Sequence, residues 1–296
     1  MYKNRLDVFY HVKSSLHVGT GDVLGLVDLP IQREKHTSFP KIESSSLKGA
    51  IRNHFESVLK EDKKTIDDLF GPEESEPVLK EDKKTIDDLF GPEESEQKNA
   101  KMGLVAFTDA KILLFPVKSI KGIFALITCP FILKRYYEDT EENIPDFLKG
   151  LNVEDGKFIP FVNNSEIIIN NDKAVLEEFT FVKSSQNIDL TKIKLNGVKT
   201  DKVLILSDND FKYFVNNSTE VITRIKINNE TGTVDKGALF NEEFLPAESV
   251  LYNQLYCDDK DIKGKNLKDF MKEKMNSVMQ IGGDETIGKG IVKVFC

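Results

Sequence analysis

Residues 44–59, SSSLKGAIRNHFESVL, place Leu47, Ile51, Phe55 and Val58 three or four positions apart. That spacing predicts an amphipathic helix, with the serines as caps at its start. Before it, Val8, Tyr10 and Val12 alternate with Phe9, His11 and Lys13, the period of a strand ending near residue 13. After it, AKILLFPV (110–117) and GIFALIT (122–128) read as buried strands able to pair. NLKDFMKEKMNSVM (266–279) returns to helical spacing through Leu267, Met271, Met275 and Val278, and IVKVF (291–295) ends the series as a strand. Strand, helix, two strands, helix and strand predict an α+β chain with a ferredoxin-like palm carrying large insertions. TRIKINNETGTVDKGALF (223–240) adds a hairpin, with Ile225 and Ile227 alternating with polar residues before an NNETG turn. Between 145 and 220 the apolar runs FIPFV, SEIIIN and KVLILS are short and set among Asn and Asp.

The 296 residues are 40% hydrophobic and 30% charged, with 20 Phe and no Trp, a globular profile whose core bulk falls to Phe, Leu, Ile and Val. The longest apolar stretch is broken by Thr128 and Pro130 and is too short to span a bilayer. The N-terminal sequence alternates too early for a signal peptide. Cys129, Cys257 and Cys296 form no CxxC pair, which points to a reducing cytoplasm and away from a disulfide framework or structural zinc.

The net charge of −8 is unevenly distributed: residues 1–60 carry +3, 264–296 carry +2, and 61–263 carry −13. Basic ends folded onto one face would attract phosphates, although an ordinary uneven surface gives the same count. VLKEDKKTIDDLFGPEESE occurs twice without a mismatch, at 58–76 and 78–96. A lone perfect pair has no array to join, so it reads as a recent duplication or an artefact of assembly. One TIDDLF copy is expected to pack on the body and the other to form a solvated, mobile loop.

Several stretches carry residue types suited to chemistry. In LGLVDLPIQREKHTSFP (24–40), Asp28 sits at the lip of an apolar run with Arg33, Lys35 and His36 behind it. It caps the turn at Pro30, or it is a carboxylate placed to bind a divalent cation or accept a proton. Ser46, Lys48 and Arg52 lie at the start of the first helix, where free N–H groups and two cations suit a phosphate; a capped surface helix is the plainer reading. QIGGDETIGKG (280–290) has four glycines in nine residues, Gly282, Gly283, Gly288 and Gly290, with Lys289 among them. It lacks the order of a Walker or dinucleotide loop and is an anion nest or a connector. His17, beside Gly19 and Gly21, is a candidate acid, base or phosphate ligand, or simply exposed.

Four segments, HVGTGDVLGLVDLPIQREKHTSFP, SSSLKGAIRNHF, TGTVDKGALFNEEFLPAESVLY and QIGGDETIGKG, together resemble the backbone subunit of the type III-B CRISPR–Cas effector, the Cmr complex, in the RAMP superfamily. The resemblance covers both ends and the hairpin and is weak in 58–96 and 140–215. It implies one RAMP palm over 1–296 with a thumb-like insertion at 222–245. It implies copies stacked in a filament along a guide crRNA with the other Cmr subunits, and metal-dependent endoribonuclease cleavage of complementary target RNA at regular intervals. Carried over by position, Asp28 matches the cleavage aspartate and metal ligand, with Mg²⁺ or another divalent cation as cofactor, and His17 a histidine near guide or target. Ser46, Lys48 and Arg52 match the guide-backbone helix. Gly282, Gly283, Gly288, Lys289 and Gly290 match the loop along the guide, and Arg33 and Lys35 belong to the basic loop behind the acid. Glu242, Glu243 and Phe244 match the thumb-side segment, with Phe where many relatives have Tyr. Two rival readings are a non-catalytic crRNA-binding filament subunit and a crRNA-processing ribonuclease with His17 as base. A third is a homo-oligomer that binds no RNA.

Overall fold

The computed structural model describes residues 3–21, 25, 27–71, 103–140, 144–162, 165–186, 193, 195, 198–227 and 234–296. Its main elements are β1 (Asn4–Val12), α1 (Ser44–Asn53), α2 (Lys63–Phe70), β2 (Ala110–Lys118), β3 (Phe124–Thr128), α3 (Pro130–Thr140), β4 (Lys157–Pro160), β5 (Lys173–Leu176) and β6 (Phe179–Lys183). They continue with β7 (Val203–Leu206), α4 (Asp208–Asn217), β8 (Glu220–Ile227), β9 (Val234–Phe244), β10 (Val250–Cys257), α5 (Leu267–Met275), β11 (Val278–Gln280) and β12 (Ile291–Phe295).

Ten of these strands form the path β11-β12-β1-β10-β2-β3-β7-β4-β6-β5 through a twelve-stranded sheet. Its central part, β12-β1-β10-β2, is antiparallel throughout, with Asn4 opposite Cys257 and Phe9 opposite both Tyr252 and Phe295. Val8, Phe9 and Tyr10 are all buried, so both faces of β1 are covered. On one face Tyr136 of α3 meets Phe9 and Tyr252, with ring centroids 6.1 and 5.0 Å apart. α5 also packs on β1. The insertion between β3 and β8 extends the sheet with two parallel pairings, β3 with β7 and β4 with β6. β8 and β9 form a separate two-stranded hairpin in which Glu220 faces Phe244 and Ile225 faces Leu239.

The structure corrects the sequence reading at three points. Leu47, Ile51 and Phe55 are buried as expected, but Val58 is 65% exposed. Residues His54–Val58 wind as a π-helix, closed by the Leu59 N–H donating to the His54 carbonyl, and the wider turn moves position 58 off the apolar face. The serines are not caps. Glu43 is the N-cap, and Asp109 accepts from the Ser44 N–H at 2.9 Å. Val278 lies beyond α5, exposed on β11, because the helix ends at Met275. SEIIIN forms no strand beyond an isolated bridge at Ile169, its Ile167 and Ile168 being buried in irregular chain.

The first TIDDLF is α2. Asp62 caps it by accepting from the Thr65 N–H and hydroxyl, and Ile66, Leu69 and Phe70 are buried. The second copy and the hairpin turn at 228–233 lie outside the described residues.

Candidate nucleic-acid interface

An open cleft of about 450 Å³ is lined by His17, Val18, Gly19, Gln32, Ser46, Ala50, Gln280, Gly282 and Gly283. Three separated parts of the sequence meet there. The chain leaving β1 runs beside the glycine loop, with the Gly283 N–H donating to the His17 carbonyl and the Gly290 N–H to Ser15. Gly282 has φ +81°, and a Cβ there would lie 2.2 Å from the His17 oxygen, so only glycine lets these backbones approach. Gln32 joins the third part by donating to Gly19 O and Ser46 Oγ and accepting from the Glu43 N–H.

His17 is held from two sides. Its Nδ1 lies 2.7 Å from the Glu243 carbonyl, which can only accept, so Nδ1 carries a proton. Its Nε2 faces Glu242 Oε1 at 3.5 Å, and the side chain is 12% exposed. Glu242 also meets Arg224 Nε at 2.9 Å, and Arg224 forms two hydrogen bonds to Asp284 in the glycine loop. Burial pushes Glu242 above the ordinary glutamate range against the pull of His17 and Arg224. Burial would also raise Asp284, but the bonds and charge of Arg224 hold it below its ordinary value. Phe244 is fully buried, 5.5 Å from the His17 ring, with Arg224 and Lys289 over its ring at 5.6 and 4.8 Å.

Asp28 is exposed on the loop that pairs with this segment, where Gly19 bridges Ile31 and the Gln32 N–H donates to Val18. Its Oδ2 accepts from the Asn241 N–H of β9 at 2.8 Å. Among the described residues nothing donates to its other oxygen, and no three His, Cys, Asp or Glu side chains gather to hold a metal.

The cations anticipated behind the acid divide into two groups. Arg33 is bound internally to Glu243, the Ser38 and Val215 carbonyls and Asn216. Arg52 is bound to Glu56, Asp67 and the Gly71 carbonyl. Both act as struts, because each guanidinium satisfies acceptors that neighbouring elements would otherwise bury. Lys35 is exposed and Lys48 half-buried, and neither forms an ion pair among the described residues. Gly288 closes the short 3₁₀ turn Glu285–Ile287, and Lys289 and Gly290 lead back into β12. The sequence reading missed Asp284, Asp109 and Asn241 as site-building residues. Their partners lie far away in the chain, and no spacing signals them.

A large mixed sheet, a separate hairpin and a glycine loop that meet around His17 define a class of mixed α and β content. The chain belongs to the RAMP superfamily, whose family model matches residues 9–293. It is 33% identical over 291 residues to the CRISPR system Cmr endoribonuclease Cmr4 of Pyrococcus furiosus, covering 94% of this chain and 90% of that one. Identity to the CRISPR system CMR subunit Cmr4 of Saccharolobus solfataricus is 26%, covering 97% and 94% of the two chains. The crystal structure of oligomeric Cmr4 from Pyrococcus furiosus matches with a TM-score of 0.68 at 27% identity, covering 98% of this chain and 96% of that one. A chain of the type III-B Cmr-beta complex bound to cognate target RNA shares the fold, with a TM-score of 0.71 at 23% identity over 99% and 97% of the chains. The likeness to the Cmr backbone subunit, first visible in four segments, therefore extends along nearly the whole chain.

Proposed function

We propose that the chain is an endoribonuclease subunit of a type III-B CRISPR effector, arrayed in copies along a guide crRNA with the other Cmr subunits and cutting the paired target RNA at regular intervals. The observation that carries this reading is Asp28: an exposed carboxylate with one oxygen anchored to the hairpin base and the other without a donor among the described residues, on a loop that flanks the cleft. The name of the 33% identical relative, an endoribonuclease, supports it. The order β12-β1-β10-β2, with α1 and α5 in the connections, supports a ferredoxin-like palm. The guide backbone lies on Ser46, Lys48 and the surface of the glycine loop, and base pairing supplies the sequence specificity. The hairpin β8–β9 acts as the thumb that splays one target nucleotide.

In the splayed nucleotide the ribose 2′ oxygen lines up with the adjacent phosphorus and bonds to it as the P–O5′ bond breaks, leaving a 2′,3′-cyclic phosphate and a 5′ oxygen that takes a proton from water. Asp28 accepts the 2′-OH proton through its Oδ1. In the alternative role Asp28 would hold a Mg²⁺ ion, which would supply charge neutralisation at the phosphate. His17, with Nδ1 fixed on a carbonyl and Nε2 turned to Glu242, ties hairpin to glycine loop. Phe244 supplies a buried ring between cations and no hydroxyl chemistry.

The test is single-turnover cleavage of complementary RNA by the reconstituted complex carrying Asp28→Asn. A loss of about 100-fold or more with unchanged target affinity is expected from removing a general base. Unchanged cutting would leave a guide-binding subunit without nuclease activity.

A further inference from the structure

Glu243 is 6% exposed and has no part in the chemistry above, yet it is the most heavily bonded carboxylate at the hairpin base. Its Oε2 accepts from the Ile31 N–H at 3.0 Å. Its Oε1 accepts from Arg33 Nη2 at 2.5 Å and from the Thr219 hydroxyl at 2.7 Å. Its own N–H donates to the Leu29 carbonyl at 3.0 Å, and two residues earlier Asn241 exchanges bonds with Asp28 and Leu29. Asp28, Leu29, Ile31 and Arg33 are thus each bonded to β9, and Glu243 ties them further to Thr219, the residue preceding β8. Arg33 extends the clamp to the C-terminal end of α4 through the Val215 carbonyl and Asn216.

We propose that Glu243 is a positioning residue that clamps the 28–33 loop to the hairpin, so that the Asp28 carboxylate and the thumb move as one body. A buried carboxylate with three donors around it, one of them a guanidinium, holds its partners rigidly, and removing it leaves the Ile31 N–H and one arm of Arg33 without that acceptor. The inference rests on Asp28 being the cleaving acid. It adds that placement of this acid depends on the hairpin: a nucleotide splayed by the thumb and the group that acts on it are kept in register by Glu243. It also explains why a basic residue so close to the acid, Arg33, faces inward.

The reconstituted, guide-loaded complex tests this with Glu243→Gln, Arg33→Met, Arg33→Lys and Asp28→Asn, measuring target affinity and single-turnover rate separately. Glu243→Gln and Arg33→Met are expected to slow cleavage at least 10-fold with affinity within 2-fold of the parent. Arg33→Lys should recover part of the rate. Adding Glu243→Gln to Asp28→Asn should slow cleavage no further, because the clamp acts only through the acid. A parent rate in Glu243→Gln, alongside a dead Asp28→Asn, would overturn the clamp and spare the nuclease assignment. A fully active Asp28→Asn would overturn that assignment instead. Should Glu243→Gln fail to assemble, the Arg33 pair decides: equal rates for Met and Lys contradict the clamp.

Discussion

Two regions meet at His17 and are held by different means. On one side, the acid-bearing loop is fixed to the hairpin by buried charge, through Glu243, Arg33 and the Asp28–Asn241 bond. On the other, the chain leaving β1 and the glycine loop are joined by backbone contacts that depend on a missing side chain, with Gly283 donating to His17 and Gly282 against its carbonyl. The difference teaches where binding capacity lies. Side chains and amides that hold elements together are no longer available to a ligand, so the joint directs one carboxylate outward, while the rim presents Ser46 and Lys48.

The sharpest way to break this contrast is at neighbouring glycines. Gly282→Ala must adopt positive φ with its Cβ against the His17 oxygen and should cost about 2–4 kcal/mol, read as a lower denaturation midpoint. Gly283→Ala, whose Cβ would meet nothing closer than 3.8 Å, should cost less than about 1 kcal/mol. Equal losses would mean that the close approach is not what holds the rim.

Arg52 and Lys48 separate strut from ligand contact within one helix. Arg52→Ala should destabilise by about 1–3 kcal/mol through its lost bonds to Glu56, Asp67 and Gly71, and leave the salt dependence of RNA binding alone. Lys48→Ala should leave the midpoint nearly unchanged and reduce the log–log salt slope by about one. An exchange of these outcomes would put Arg52 back on the RNA.

A smaller effect concerns the link between the two regions. The native state raises the Glu242 pKa, so it binds a proton that the unfolded chain releases near 4.5. Its contribution to stability is therefore complete below that value and fades as pH rises through the raised one. Glu242→Gln should flatten that limb of the stability–pH curve, whereas parallel curves for parent and variant would show that burial does not perturb this carboxylate.

Much of the fold was legible because its signals are local. Alternation in Val8–Val12, the four-residue step from Leu47 to Phe55 and the Met271–Met275 pair each report one buried face of one element. The reading failed where geometry departs from a regular repeat: the π-turn that exposes Val58, and the serines displaced as caps by Asp109, 65 residues away from Ser44. The site was legible as a set of residues but not as a set of duties. Arg33 and Lys35 look alike in sequence, and only the folded position of Glu243 turns one inward and leaves the other exposed.

The central claim, that Asp28 is presented to the target strand by the hairpin joint, is tested most directly by position. A hydroxyl-radical source tethered at Asp28→Cys in the assembled, guide-loaded complex should nick the target strand at the periodic sites where the parent cuts. Nicks confined to the guide, or scattered without period along both strands, would contradict the account.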